Sequence, residues 1–253
     1  MSLFQDSGGI EGVPADSLEC SSPFAPCFSP DRKAASLGNS PREFFSAVRM
    51  KRVKNQSLTP TIVLATHNPG KLREFRALME PAGWEIIGLS DLSIKTDVEE
   101  TGGSFAENAR LKALSYSRDT DLPVLADDSG LEVFSLGGRP GVGSARYAGP
   151  GASDADRVRK LLAELEHTPG SRSARFVCAL ALAQWGVLLL ETEGECRGEI
   201  TAEPRGSQGF GYDPVFWVPE LGRTYAELDK EEKNLHSHRA HAARALLDKL
   251  GRR

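Results

Sequence analysis

The chain has 253 residues, 40% hydrophobic and 26% charged, with a net charge of −4 and a pI near 5.8. That balance suits a soluble globular protein with a large core and excludes a global basic field for nucleic acid, so any anion site must be built locally. Cys20, Cys27, Cys178 and Cys196 lack CxxC or zinc-ligand spacing, and no apolar run approaches the roughly 20 residues of a membrane span, which together point to a reducing cytoplasm rather than a disulfide scaffold or a membrane.

Residues 1–58 are rich in Ser, Pro and Gly without a sustained period, and read as a disordered N-terminal extension. Met50 is an alternative natural start, and one domain is expected over 59–253. TIVLA (61–65) is an apolar β-rich run, and from Lys71 to Met79 the spacing puts Leu72, Phe75, Leu78 and Met79 on one helical face. WEIIGL (84–89) reads as a second strand. Ser104 then reads as an N-cap, with Glu107 completing a capping box ahead of a helix carrying Phe105, Leu111 and Leu114.

LPVLADDSG (122–130) reads as a buried strand ending in a polar turn, and SDADRVRKLLAEL (153–165) as an amphipathic helix. Residues 174–200 predict a long hairpin turning near Trp185 and Gly186. The last helix repeats Ala240, Ala243, Leu247 and Leu250. Long hairpin strands among crossover helices predict a mixed α/β sheet.

Four stretches carry chemistry. In THNPGK (66–71) a strand feeds a turn and a helix start, where backbone N–H groups and the helix dipole favour an anion and Lys71 adds a charge. Capping by Thr66 or Asn68 is the plainer reading, and the Walker A spacing is not met. Glu99 and Glu100, with Asp127 and Asp128, offer carboxylates from two segments, the arrangement by which Mg²⁺ is held beside substrate phosphates. If Asp127 and Asp128 continue the strand, they point to opposite faces. In GSQGFGYDPVFWVP (206–219), Phe210 or Tyr212 is placed to stack on a base and Asp213 to accept from a base edge, with Phe216 and Trp217 read as core. Ser237 reads as an N-cap that puts His238 and Arg239 in a first turn, where the dipole disfavours cations; His241 and Arg244 read as surface or packing residues.

Taken together and in this order, ATHNPGKLREF, EETGGSFAENARLKA, LADDSGLEVFSLGGRPGVGSARYAG, GFGYDPVF and KNLHSHRAHA resemble the inosine triphosphate pyrophosphatases, or Ham1-like proteins, from about Thr61 to Leu250. The resemblance implies an elongated mixed sheet flanked by helices with the active site in a cleft between two lobes. It also implies Mg²⁺-dependent hydrolysis of ITP, dITP and XTP to the monophosphate and pyrophosphate by a homodimer. Under it, Thr66, His67, Asn68, Pro69, Gly70 and Lys71 grip triphosphate and sugar. Lys112 reaches the phosphates, Glu100 and Asp128 serve the metal, Asp128 is the proton acceptor and Ser129 contacts substrate. Phe210, Gly211, Tyr212, Asp213, Lys233, His238 and Arg239 enclose the base. Two alternatives stay open: a Maf-type pyrophosphatase for modified pyrimidines, which would lack the SHR segment, and a non-hydrolysing nucleotide sensor, which would lack Asp128 or Glu100.

Overall fold

The computed structural model describes residues 60–251; the expectations for the N-terminal extension and Met50 lie outside the described residues. Seven strands form one mixed sheet: β1 (Thr61–Ala65), β2 (Glu85–Gly88), β3 (Val124–Val133), β4 (Ser173–Gln184), β5 (Val187–Ile200), β6 (Phe216–Val218) and β7 (Arg223–Thr224), in the order β2-β1-β3-β4-β5-β6-β7. β1 pairs in parallel with β2 and β3, and the remaining pairs are antiparallel. The helices are α1 (Pro69–Met79), α2 (Phe105–Tyr116), α3 (Asp154–Glu166), α4 (Lys230–His236) and α5 (His238–Lys249).

Side-chain alternation along the strands divides the core. Ile62, Leu64, Leu125, Leu180 and Leu182 pack against Phe75 and Met79 of α1 and Ala242, Ala243 and Leu246 of α5. Their neighbours Val63, Ala65, Val124, Ala126, Ala179 and Ala181 face the opposite way, against Ala109, Ala113 and Tyr116 of α2. A third cluster gathers Leu131, Val133, Phe176, Phe216 and Tyr225 with Val158, Leu161 and Leu165 of α3. The hairpin turns at Trp185 and Gly186, both with positive φ as a two-residue turn of primed type requires.

Several expectations need correction. β3 does not stop at a polar turn: DDSG continues in register with β4, Asp128 opposite Ala179 and Val133 opposite Ala174. Ser104 accepts the Glu107 amide at 3.2 Å, but the Glu107 carboxylate takes the Gly103 amide instead of closing the box. Leu111 is exposed, because the buried stripe of α2 runs through Phe105, Asn108, Ala109, Lys112, Ala113 and Tyr116. Trp217 is half-buried under Arg205, while Phe216 is in the core as read. The seven-residue α4 was not anticipated. Among the described residues no helix is long and apolar enough to cross a membrane.

Candidate functional site

The continuation of β3 through DDSG sends alternate side chains to two faces, as its period requires. On the α2 face, Asp128 meets Lys112, whose ammonium donates to Glu100 at 2.7 Å, to the Asp127 carbonyl at 2.7 Å and to Asp128 at 3.3 Å. Glu100 reaches this point because its loop is pinned to α2: Asn108 accepts the Gly102 amide at 2.7 Å and Glu107 accepts that of Gly103 at 2.7 Å. Arg146 approaches Glu100 from outside at 3.5 Å. Burial pushes the Asp128 carboxyl above the ordinary aspartate range; Lys112 opposes this and Glu100 reinforces it. One oxygen of Asp128, Oδ2, is buried without a partner.

On the other face Asp127, fully buried, takes Lys71 at 2.7 Å and the Cys178 thiol at 3.1 Å. Burial alone would raise its carboxyl, but Lys71 and Arg239 outweigh burial and hold it far below the usual range. Ser129, on the same face, accepts from Arg239 at 3.0 Å. Arg239 and Lys233 converge on Glu74 of α1, each at 2.8 Å, and Lys233 also reaches Asp213 at 2.5 Å. Both cations lie 5.0 Å from the ring centre of Phe210.

The loop around Phe210 depends on two glycines. A Cβ on Gly70 would stand 2.9 Å from the Phe210 ring, so the α1 start and the aromatic close on each other only with glycine there. Gly209 has φ +77°, and a Cβ on it would lie 1.9 Å from Asp213 Oδ2, where the Phe210 amide and Lys233 are received.

Asn68, Lys71, Glu100, Asp128, Phe210 and Arg239 line a cleft of about 320 Å³. All the predicted site residues border it except Thr66, His67, Lys112 and Lys233: the first two precede the helix start, Lys112 lies beneath the carboxylates, and Lys233 faces an adjoining cavity beyond Phe210. Asn68 caps α1, accepting the amides of Gly70 at 2.7 Å and Lys71 at 3.3 Å, so those two N–H groups are already engaged. Of the two aromatics offered for stacking, Phe210 is the accessible one. Tyr212 is buried, with its hydroxyl donating to the Ser144 carbonyl at 2.9 Å. Asp213 borders the cleft, its Oδ2 taken by Lys233 and the Phe210 amide.

His238 is buried in a stack with Phe176, ring centres 4.7 Å apart, and neither ring nitrogen has a hydrogen-bond partner. Burial first, then Arg239 and Lys233, push its pKa well below the ordinary histidine value, so the ring is neutral. The expected result of an NMR titration is that the His238 ring signals do not move as the pH is taken through the ordinary histidine value near 6.5; a transition there contradicts a neutral ring.

The sequence profile of the Ham1 family matches residues 62–249. The chain belongs to the Ham1 family. A dITP/XTP pyrophosphatase of Geobacillus kaustophilus is 56% identical over 182 residues, which is 72% of this chain and 89% of that relative. Among solved structures, a HAM1 protein from Coxiella burnetii superposes with a TM-score of 0.70 at 45% identity, covering 76% of this chain and 98% of that one. The Ham1 protein of Staphylococcus aureus gives 0.68 at 43% identity, covering the same 76% and 98%.

Within this Ham1 fold three site residues escaped the sequence reading. Glu74 looks like a solvated position on an amphipathic helix, yet it sits between Lys233 and Arg239; burial raises its carboxyl, and Arg239 and Lys233 bring it below the ordinary range. Asp154 and Arg157, at the start of α3, border the cleft and bond to its loops. The only sequence signal for Asp154 was its place after the N-cap Ser153, which explains an acid there without any site.

Proposed function

We propose that this chain hydrolyses ITP, dITP and XTP to the nucleoside monophosphate and pyrophosphate, removing deaminated purines from the nucleotide pool. The observation that carries the reading is β3 itself. Consecutive residues of one strand supply a carboxylate centre on one face (Asp128, with Glu100 and Lys112) and, through Asp127 and Ser129, the anchor of a donor-rich clamp on the other (Lys71, Arg239).

Mg²⁺ fits this site: Glu100 and the unpartnered Asp128 Oδ2 offer two hard oxygens, the number suited to a cation that takes its other ligands from substrate phosphates and water. When bound it neutralises charge on the triphosphate and on the leaving pyrophosphate. Asp128 accepts the proton of the attacking water. Lys112 stays charged despite burial, because Asp128 and Glu100 outweigh desolvation, and it keeps the paired carboxylates from repelling each other.

Base selection rests on Arg239 and His238. The Arg239 Nη atoms are held by Glu74 and Ser129, while its buried Nε has no hydrogen-bond partner. That N–H suits the O6 acceptor of hypoxanthine or xanthine and finds only a donor in adenine's 6-amino group. Neutral His238 adds one ring-nitrogen donor or acceptor, according to its tautomer. A homodimer in the cytoplasm belongs to the same proposal.

The test is pyrophosphate release from ITP, dITP, XTP, ATP and GTP, with and without Mg²⁺. Selective, Mg²⁺-dependent turnover of the first three is expected. Equal turnover of ATP, or no turnover of any, refutes the proposal.

A further inference from the structure

We infer that Asp154 and Arg157 are positioning residues that hold the Phe210–Tyr212 loop at a fixed distance from the β3 carboxylates, and so set how much of the base-binding energy becomes turnover. The inference rests on the function proposed above. Asp154 is the first residue of α3, where an acid complements the helix dipole with no further partner. Here its Oδ2 instead accepts the amide of Gly211 at 2.7 Å, 57 residues away in sequence. Gly211 has φ +66° and joins Phe210 to Tyr212, so this bond fixes the backbone on which the stacking ring is carried.

Arg157 completes the tie. Its Nη2 holds Asp154 Oδ1, and its Nη1 donates outside the helix, to the carbonyls of Ala145 at 3.1 Å and Ala152 at 2.6 Å. The segment it grips is itself locked to the catalytic strand: Ser144 accepts the amide of Leu131 in β3 at 2.9 Å, and the Ser144 carbonyl receives the Tyr212 hydroxyl at 2.9 Å. A closed circuit of hydrogen bonds thus runs from β3 through Ser144 to the 210–212 loop, and from that loop through Asp154 and Arg157 back to the 144–145 segment. Because Asp154 and Arg157 neutralise each other, the pair adds no surplus positive charge for the triphosphate. What it contributes is geometry between the base wall and the reacting centre.

The consequence is selective. ITP draws transition-state stabilisation from the base contacts and needs the loop in register with Asp128, whereas ATP, poorly matched to the clamp, has less to lose when the register loosens. In Asp154→Ala, kcat/KM for ITP is expected to fall about tenfold further than kcat/KM for ATP. Asp154→Asn, which keeps an acceptor for the Gly211 amide, is expected to restore most of the ratio. A merely structural role lowers both nucleotides in the same proportion, that of the folded fraction, and such a result overturns the inference.

Should Asp154→Ala be recovered unfolded, Arg157→Gln decides, since it leaves the Gly211 acceptor but releases the 144–145 segment. There a narrowed ITP-to-ATP ratio supports the inference and an unchanged one overturns it. A wild-type protein with no preference for ITP refutes the function and the inference with it. A selective wild type whose ratio survives both substitutions refutes the inference alone.

Discussion

Replacing Asp128 by asparagine is expected to lower pyrophosphate release from ITP by about 10²–10⁴-fold at saturating Mg²⁺, the range general-base catalysis contributes, while the fold is kept. The strand around it is held on both edges, by β1 at residues 124–126 and by β4 along its whole length, so one side chain does not decide the backbone. An amide keeps the shape of the carboxylate and can still accept from Lys112, but it cannot take a proton from water. The stability effect has a definite sign. An acid whose folded-state value is raised loses stability as pH climbs from its ordinary value, near 3.8, towards the raised one. Above that window the loss is constant, and the neutral amide removes it. Metal-free Asp128→Asn is therefore expected to melt at or above the wild-type temperature at pH 7, with the difference vanishing in acid. Near-normal turnover by this variant would remove Asp128 from the role of base.

The same strand shows what a sequence can and cannot disclose here. Local rules find β1, the N-cap of α2 and the two-residue turn at Trp185 and Gly186, because each depends on neighbours within a few positions. They misread Asp127 to Gly130, whose composition is that of a turn, because ten residues of pairing with β4 override it. They expose the wrong side of α2: leucines dominate a hydrophobicity reading, but the helix packs through Ala109 and Ala113, and the close approach those allow draws Lys112 inward. The ionic centre is the least legible part. Glu74 lies 159 residues from Lys233 and 165 from Arg239, and no periodicity relates them. The acid that ties Lys233 and Arg239 together is disclosed only by the fold.

Glu74→Gln is expected to cost about 3 kcal/mol of stability, the lower end of the penalty for removing one partner from a buried ion pair. For a domain of this size that is a fall of roughly 6–12 °C in melting temperature. The lower end applies because neither cation is wholly abandoned: Lys233 keeps Asp213, and Arg239 keeps Ser129 and a longer contact with Asp127 at 3.9 Å. The low exposure of all three side chains, 16% for Glu74, 7% for Lys233 and 6% for Arg239, argues against dismissing the network as a screened surface pair. The pH dependence runs opposite to that of Asp128. With its folded-state value below the ordinary 4.5, Glu74 contributes stability that is full above that value and lost as pH falls through the lower folded one. The variant's deficit should therefore be constant near neutrality and close on acidification. The substitution also releases Arg239 Nη1, so the guanidinium is held only by Ser129 and the longer contact with Asp127, and the ITP-to-ATP ratio should narrow together with the melting temperature. A melting temperature unchanged at pH 7 would mean that the two cations find other partners. A lowered melting temperature with an intact ratio would leave Glu74 a structural counter-ion with no part in choosing the base.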